Sequence, residues 1–584
     1  MKILSKVVLF YLIFIAFATA FAKAPPIEVK IQGVSSSEIK ENIEANLAIL
    51  SQMGELTHDP AHQKQYLERA RQEIIQAIQP FGYYEASIDD HLVTTDHTYK
   101  AIFTINLGQP IRIAQINFIL EGEGRTDLAL QRIMVDFPLT QNDIFDHDSY
   151  EQGKKAVLST AISAGFLNAS FSEHRVEVDI DNHTSKIFLT LNTGVRYHFG
   201  PVTFDKTYLS TQLLERYLSF KPNDIYSPEK ILSLQSQLSQ SEYFSFVNVK
   251  ALSEETSNIV PVLVELKDAK PNQYIIGGGY GTDTGLRGKA SWTRRQINQW
   301  GHRFSATARL AEIYSMLELD YVIPGKHPNT DYVKIKGGFF EDEFSAKRSK
   351  IYETGINEVR EIYGWQRNIG LSYLHEQFNA FLTNDIVQSK LILPSITFIQ
   401  TKRDDIASPT HGRRIEITFR GSVDALFSDT SFFQTYLQLR WLHALTPTLK
   451  LLARTEFGAT FPEEVERLPL SQRFYAGGDL SLRGFAYRSL PFQTGDDGQP
   501  HPVGGTYLAV GSIELAKTIK APIAIFTFLD VGNAFRPSDN ELEAGTGIGV
   551  EWITRLGPIK VAVAKPITQN SDSWRIHASF GPEL

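Results

Sequence analysis

The N-terminal part of the chain alternates between short strand-like and longer helix-like patterns. Residues 27–31 place apolar and charged side chains on alternate positions, as a half-buried strand does. Serines at 35–37 offer N-caps for a helical pattern that extends to about Met53. The same unit continues with a second helix and two strands, predicted at residues 61–79, 83–91 and 99–107. The pattern therefore predicts a β-α-α-β-β module of about 80 residues.

The module recurs along the chain. Gly108 is followed ten residues later by Phe118, with an alternating strand between them, and residues 194–204 repeat this spacing 86 residues further on. Gly82 and Gly165 form a second repeated marker, because each is followed by an aromatic residue and they lie 83 residues apart.

A glycine ends a helix at low steric cost, so we expect each marker to close a helix and open a strand. In the third copy Tyr243 takes the corresponding position without a glycine. Three tandem α+β modules are therefore predicted.

From residue 273 onward the helical period gives way to strict alternation of apolar and polar side chains. Five examples are residues 304–310, 317–323, 415–419, 435–441 and 449–457. A soluble β-sandwich also alternates, but these segments are long and their polar faces carry full charges. Lipid cannot satisfy backbone groups, so a spanning sheet must close on itself. The fold class predicted here is all-β, a C-terminal transmembrane β-barrel of about 16 strands at roughly 20 residues per strand with its loop.

The first residues have the features of a secretory signal peptide. Lys2 and Lys6 precede an apolar run at 7–17, and Ala20–Ala22 offers a cleavage site, with Ala18–Ala20 nearly as good. The alternative is a retained membrane anchor, although the apolar run is short for a spanning helix. We therefore expect export from the cytoplasm.

Composition narrows the function further. The chain of 584 residues has no cysteine, which excludes disulfides, thiolate metal sites and a thiol nucleophile. Its formal net charge of −8 gives no support to a nucleic-acid partner. Phosphate-binding, zinc-protease and nucleophile-elbow motifs are missing from the sequence, and Asp404–Asp405 lies in a turn-like segment before Pro409. We predict a protein that is not an enzyme and that needs no metal or cofactor.

Three modules before a barrel resemble the superfamily of outer-membrane assembly factors that carry POTRA domains. Residues 474–485, FYAGGDLSLRGF, resemble its signature loop. Residues 511–515 and 528–533 resemble its Glu-bearing and F-x-D-x-G strands, and residues 547–559 resemble its last hairpin region. Within the superfamily the TamA branch, the outer-membrane subunit of the translocation and assembly module, is the most similar, because it combines three modules with one barrel.

The resemblance and the patterns together predict the organisation of the chain. The resemblance implies an outer-membrane protein of a Gram-negative bacterium with POTRA modules in the periplasm. The predicted parts are a signal peptide, three POTRA-like modules and the transmembrane β-barrel, at residues 1–22, 23–107, 108–194, 195–270 and 271–584.

The resemblance also implies a lumenal clamp. In the family the signature loop folds back into the barrel and its arginine meets acidic residues on the inner wall, which here are Glu514 and Asp530. A guanidinium in a partly desolvated lumen needs carboxylates, and Arg483 can engage them in bidentate fashion. Gly484 would let the loop turn tightly and Phe485 would pack it against the wall. The alternative is an exposed arginine in a surface loop, which would contribute little.

A second candidate site is the seam between the first and last barrel strands. The first strand contains four glycines in seven residues, and the last alternates only briefly before Gly581-Pro582. We expect a soft lateral seam that opens and templates an incoming strand; its predicted residues are Ile275, Gly277, Gly278, Gly279, Gly281, Ile576, Phe580 and Gly581. The alternative is that the glycines only ease barrel curvature.

These expectations lead to one main function and two alternatives. The main prediction is an assembly factor for autotransporters and other β-barrel proteins. It would take them as unfolded clients and insert or translocate them at the lipid bilayer. The alternatives are a two-partner-type pore that exports a dedicated partner through the lumen, and a passive channel. The resemblance implies a TamB-like partner, anchored in the inner membrane, that reaches the first module.

Overall fold

The computed structural model describes most of the chain after the predicted signal peptide. The described residues are 27–47, 60–95, 98–252, 257–281, 285–344, 347–379, 386–405, 409–494, 500–536, 541–554, 557–568 and 574–580. Several predictions therefore lie outside the described residues: the signal peptide with its cleavage site, the helix end near Met53, and Gly581-Pro582. The chain divides into two compact units, one formed by residues 1–203, 220–232 and 250–263, the other by residues 204–219, 233–249 and 264–584.

The first module has the predicted order of elements. It comprises β1 (Ile27–Gln32), α1 (Ser37–Asn46), α2 (Pro60–Ile78), β2 (Ser87–Thr95) and β3 (Thr98–Asn106). Ser36 caps α1, because its side chain accepts a hydrogen bond from the Ile39 N–H. The strand order is β1-β3-β2, with β1 parallel and β2 antiparallel to β3. The helices cover one face of this sheet and bury Ile43, Ile74 and Phe103 against it.

The second and third modules repeat this arrangement. The second consists of β4 (Arg112–Glu121), α3 (Leu128–Val135), α4 (His147–Ser163), β5 (Ser170–Asp179) and β6 (Thr184–Asn192). The third consists of β7 (His198–Phe204), α5 (Thr211–Leu214), α6 (Pro228–Gln240), β8 (Phe244–Ala251) and β9 (Ile259–Asp268). Their sheets have the orders β4-β6-β5 and β7-β9-β8, so the third strand of each module is central. Three β-α-α-β-β modules are confirmed.

The C-terminal part is one antiparallel sheet of 16 strands whose spatial order follows the chain. Its strands are β10 (Asn272–Gly281), β11 (Gly285–Arg294), β12 (Arg303–Ala311), β13 (Tyr314–Pro324), β14 (Tyr332–Phe344), β15 (Lys347–Ile362), β16 (Trp365–Asn379), β17 (Ile386–Arg403), β18 (His411–Ser422), β19 (Phe432–Thr446), β20 (Leu449–Pro462), β23 (Tyr507–Lys520), β24 (Ile523–Phe535), β25 (Glu543–Thr554), β26 (Gly557–Pro566) and β27 (Arg575–Phe580). Two short strands, β21 (Phe492–Thr494) and β22 (Pro500–Pro502), pair with each other between β20 and β23.

The alternation of side chains along these strands sorts them onto two faces. On β24, Ile525 and Leu529 are exposed, whereas Phe526, Phe528 and Asp530 are buried on the opposite face. Exposed apolar residues facing lipid and polar residues facing inward are the pattern of a spanning barrel. The transmembrane β-barrel and its 16 strands are confirmed. Among the helices of the described part of the chain, none combines the length and the hydropathy needed to cross a membrane.

The repeated glycines end helical turns, as predicted, but they do not open strands. Gly82 has φ +84° and Gly165 has φ +94°, yet β2 and β5 begin only at Ser87 and Ser170. The prediction of a strand over 83–91 is therefore wrong at its start. The Gly82 carbonyl accepts a hydrogen bond from the N–H of Ile111 at 2.8 Å, so the peptide after the helix bonds to the entry of the second module instead of to its own sheet.

Gly165 makes the equivalent junction one module later. Its carbonyl accepts a hydrogen bond from the Tyr197 N–H at 2.8 Å, and a Cβ at this position would lie 2.8 Å from Ile225 Cγ2. The repeated marker is thus a contact point between successive modules, which explains why it recurs from one module to the next.

Tyr243 makes the corresponding contact in the third module, within the compact unit that contains the barrel. Its hydroxyl donates to the Gly301 carbonyl in the turn between β11 and β12, and its own carbonyl accepts from Gln296 Nε2 at 3.3 Å. Gly301 has φ +73°, and a Cβ there would lie 2.9 Å from the Tyr243 hydroxyl oxygen. Tyr243 thus contacts the turn between β11 and β12, and the left-handed position that the glycines hold is taken by Glu242, at φ +64°.

We predict that Gly165→Ala destabilises the second module more than Gly194→Ala does. Both positions have positive φ, which costs an alanine about 1–2 kcal/mol. Only Gly165 adds an overlap with neighbouring atoms, since a Cβ at Gly194 meets nothing within 4 Å. Limited proteolysis of the full-length protein in increasing urea would report the loss of stability as cleavage within residues 108–194 at a lower urea concentration. Equal sensitivity of the two variants would contradict the proposed packing at Gly165.

Candidate functional site

The signature loop lies between β20 and β23 and packs against the inner face of the barrel wall. Apolar side chains of the loop form a cluster with residues of β23 and β24. Its buried members are Phe474, Ala476, Leu482, Phe485, Leu490, Leu508, Val510 and Ala534. Phe485, only 5% exposed, belongs to this cluster, so the structure places it against the wall as expected from its position in the motif. The loop therefore packs inside the barrel lumen and is not an exposed surface loop.

Arg483 lies at the tip of this loop and contacts both predicted carboxylates. Its Nε and Nη2 donate to Asp530 Oδ2 and Oδ1 at 2.7 and 2.8 Å, a bidentate pair. Nη1 donates to Glu514 Oε2 at 2.6 Å, and Nη2 also reaches Ser512 Oγ at 3.1 Å. All the ionic groups are buried, with Arg483 5%, Glu514 2% and Asp530 0% exposed. The guanidinium fork therefore joins the loop to β23 and β24 at once.

Further contacts hold the arginine in place. The Arg483 backbone N–H donates to Asp530 Oδ2 at 3.0 Å, and the guanidinium carbon lies 3.4 Å from the centre of the Phe528 ring. A cation over an aromatic face is stabilised further when both are removed from water.

The ion pairs extend into a larger network along the inner wall. Glu514 also accepts from Lys560 Nζ, which lies 4.0 Å from Glu551 Oε2, and Glu551 Oε1 accepts from Lys450 Nζ at 2.6 Å. Three cations thus face three carboxylates, and we call these six residues (Arg483, Lys450, Lys560, Glu514, Asp530 and Glu551) the wall network. Lys450, Lys560 and Glu551 were not predicted. The alternation of β20, β25 and β26 could have assigned them to the lumen, but not to these partners.

Two glycines allow the loop backbone to approach the wall. Gly484 has φ +98°, and a Cβ there would lie 3.0 Å from the backbone of Lys565 and Pro566 on β26. Gly545 of β25 faces the loop from the other side, where a Cβ would lie 1.9 Å from the Arg483 carbonyl oxygen. Gly484 therefore has the tight turn expected of it, whereas Gly545 is a participant that the sequence did not reveal.

The seam is formed by β10 and β27, which end the 16-stranded sheet. Their Cα atoms approach within 8 Å of one another, yet within the described residues each strand forms a ladder only with its neighbour, β10 with β11 and β27 with β26. Ile275, Ile276 and Ile576 are exposed. The two predicted halves of the seam are therefore adjacent but not joined by backbone hydrogen bonds there.

The glycines of β10 are not required by crowding. A Cβ at Gly277 would meet nothing within 4 Å, and one at Gly278 would make only an ordinary contact with the Arg287 carbonyl at 3.7 Å. At Gly279 it would approach Arg287 Nε at 3.3 Å, a flexible side chain. A strand without side chains at positions that have room for them is weakened without a packing benefit. Gly281 is the last residue of β10.

In the carboxylate pair at 404–405, Asp404 has a local structural role. Asp404 Oδ1 accepts from the backbone N–H groups of Thr410 and His411 at 3.0 and 3.1 Å. A hydrogen bond from the Thr410 hydroxyl, together with these N–H donors, holds the pKa of Asp404 well below its usual range. In the part of the chain that the structure describes, no group of three or more His, Asp or Glu side chains could hold a metal ion.

Comparisons with known families agree with this architecture. Residues 297–582 match the Omp85 superfamily domain, residues 28–107 match "POTRA domain TamA domain 1", and residues 197–268 match the POTRA model described as "Surface antigen variable number repeat". The chain therefore carries an Omp85 superfamily domain over residues 297–582 and POTRA domains before it. It is an outer-membrane protein of a Gram-negative bacterium, and its POTRA modules lie in the periplasm.

Curated relatives and a solved structure are more distant. An outer membrane protein assembly factor BamA of Nitratidesulfovibrio vulgaris is 20% identical over 583 residues, which cover 95% of this chain and 72% of the relative. The BamA of Neorickettsia risticii is 19% identical over 63% of this chain and 52% of its own length. The crystal structure of BamA from Haemophilus ducreyi lacking POTRA domains 1–3 superposes with a TM-score of 0.64 at 17% identity, over 80% of this chain and 98% of that one. This last likeness concerns the fold.

Proposed function

We propose that this protein assembles β-barrel proteins in the outer membrane at the seam between β10 and β27. One observation carries the proposal: within the described residues, the two ends of the sheet approach each other without a ladder between them. An unpaired strand edge presents backbone N–H and C=O groups in a row, and such an edge can pair with an extended segment of another chain. A client strand added to β10 would begin the client's own sheet inside the bilayer.

The two sides of the seam differ in a way that suits this role. β10 carries glycines at positions 277–279 that packing does not demand, so this edge adapts at little cost. The wall network lies on the β27 side of the seam, on β20, β23, β24, β25 and β26, and joins these strands to the loop. We infer that the network keeps the C-terminal wall rigid while the β10 edge moves. Opening is then confined to one place in the barrel.

A role of the TamA type is the more specific form of the proposal. Its support is the match of residues 28–107 to the first POTRA domain of TamA, together with three modules before one barrel. In this form the first module receives a TamB-like partner anchored in the inner membrane, and the clients are unfolded autotransporters and other outer-membrane proteins. The assembly-factor names of the curated relatives support the broader function.

The alternative function is a pore that exports one partner through the lumen. The loop tip is buried in the lumen by the wall network and by the cluster around Phe485. A lumenal route would have to break these ion pairs at each passage, which is costly for buried charges. The same loop disfavours a passive channel. Assembly at the seam does not require these ion pairs to break, so we favour it over export through the lumen.

Reconstitution tests the proposed function directly. We expect lipid vesicles containing the full-length protein to fold an added unfolded autotransporter barrel faster than vesicles without protein. Folding would be followed as the appearance of the heat-modifiable, protease-resistant form of the client. Vesicles containing an unrelated barrel of similar size are the control for membrane defects. Equal client folding in all three preparations would refute the assembly function.

A further inference from the structure

A histidine of the last strand binds the tip of the lumenal loop. His577 lies on β27 and is only 4% exposed. Its Nε2 accepts a hydrogen bond from the Gly484 backbone N–H at 2.9 Å, and its Nδ1 lies 2.6 Å from Asp479 Oδ1. Gly484 directly follows Arg483, and Asp479 lies in the same loop. The imidazole therefore spans from the seam strand to two points of the loop.

The partners determine how the imidazole is protonated. A backbone N–H can only donate, so Nε2 must carry a lone pair towards Gly484. The proton then resides on Nδ1 and is donated to the Asp479 carboxylate, which orients the ring. This arrangement uses both ring nitrogens and leaves no polar atom of the buried side chain without a partner.

The position of β27 gives this contact its importance. β27 has only six residues, and it pairs with β26 from Ala564↔Arg575 to Ile559↔Phe580. On its other side it has no ladder with β10 within the described residues. A strand held by one short ladder is expected to open locally more easily than a central one. The loop tip already contacts β23 and β24 through Arg483 and β25 and β26 through its backbone. His577 extends this bracing to the strand that forms the seam.

We propose that His577 is a latch between the lumenal loop and the seam. While the imidazole is bound to Gly484 and Asp479, the loop holds β27 in the sheet. Release of the imidazole frees β27 from the loop, so that the state of the loop controls the edge at which a client would enter. The meaning of the latch for clients rests on the proposed function, but its physical action on β27 does not. His577 is a positioning residue in this proposal and not a group that acts on the client.

Hydrogen exchange measured on the full-length protein in lipid nanodiscs tests the latch without any client. We expect the backbone amides of 575–580 to exchange about tenfold faster in His577→Ala, because a buried hydrogen-bonded tie to the strand is lost. Asp479→Ala removes one partner from the loop side and leaves β27 itself unchanged, so it should accelerate the same amides to a smaller extent. The double variant should exchange no faster than His577→Ala, since both changes break the same tie.

Two controls separate a latch from general destabilisation. Ser579→Ala alters the next position on the same face of β27 and should leave exchange at the wild-type rate. Amides of β23 and β24 should keep wild-type exchange in all variants, whereas a generally weakened barrel would show faster exchange there as well. Wild-type exchange of 575–580 in both His577→Ala and Asp479→Ala would overturn the proposal. If His577→Ala fails to insert, Asp479→Ala decides by the same criterion. Failure of client assembly in vesicles would refute the proposed function and leave this measurement intact.

Discussion

Arg483→Ala should leave the barrel inserted but reduce client assembly well below the wild-type level. The substitution removes all three side-chain hydrogen bonds that Asp530 and Glu514 receive from the guanidinium. Glu514 keeps Lys560, but Asp530 retains only the backbone N–H of residue 483 and remains fully buried. Breaking a buried ion pair from one side costs about 3–5 kcal/mol, because the remaining charge is uncompensated. The loop would leave the wall, and the C-terminal strands would lose their brace.

Three measurements on the same variant separate insertion, stability and function. Heat-modifiable mobility reports insertion, the urea midpoint reports stability, and reconstituted vesicles report client assembly. Arg483→Lys keeps the charge but lacks the fork that engages Asp530 in bidentate fashion, so we expect it to fall between the wild type and Arg483→Ala. The double change Arg483→Ala with Asp530→Ala should recover part of the lost stability, since no unpaired carboxylate remains on β24.

A matched control comes from the same loop. Arg488 pairs with Asp342 of β14, outside the wall network, and its side chain is 36% exposed. Because a more exposed ion pair contributes less, Arg488→Ala should have a smaller effect than Arg483→Ala. An Arg483→Ala variant that assembles clients at the wild-type rate would refute the clamp.

Joining β10 to β27 by a disulfide should stop client assembly, and reduction should restore it. The chain has no cysteine, so every introduced pair is unique. Since no ladder defines the register across the seam in the described residues, pairs are scanned between 275–280 and 576–580. A disulfide forms only where the Cα atoms lie within about 7 Å. Once formed, it holds the two edges together and denies the client access to the backbone of β10.

The control is a disulfide between strands that are already paired. Val561 of β26 and Ala578 of β27 are register partners, so cysteines at these positions lock a ladder that assembly at the seam does not need to break. This variant should assemble clients equally well when oxidised and when reduced. If the seam-locked protein also works as well as the reduced one, clients do not pass the seam. The lumen and the N-terminal modules would then be the places to examine.

The architecture could be predicted because its signals are local and periodic. A spanning strand must alternate, and a spanning sheet must close, so the alternation after residue 273 led directly to about 16 strands. The repeated glycines of the first two modules are a local signal of the same kind, since a helix end at positive φ favours glycine, although Glu242 adopts φ +64° in the third module. Their role in strand formation was predicted wrongly because the Gly82 carbonyl bonds to Ile111 in the next module, a contact that no local pattern carries.

The candidate site could be predicted only in part from the sequence, and the tertiary structure supplied the rest. Glu514 and Asp530 were assigned as partners of Arg483 from the family resemblance, and the structure brings the three together. Alternation by itself tells which side chains of a strand face the lumen, but not which of them meet. Three residues, Lys560, Glu551 and His577, follow Arg483 by about 70–95 residues in sequence. Only the register of β25, β26 and β27 places them beside the loop. The sequence alone thus determined the modules, the barrel and the loop that carries the arginine. The tertiary structure decided the wall network and the link from the loop to the seam, because both arise where distant strands come side by side.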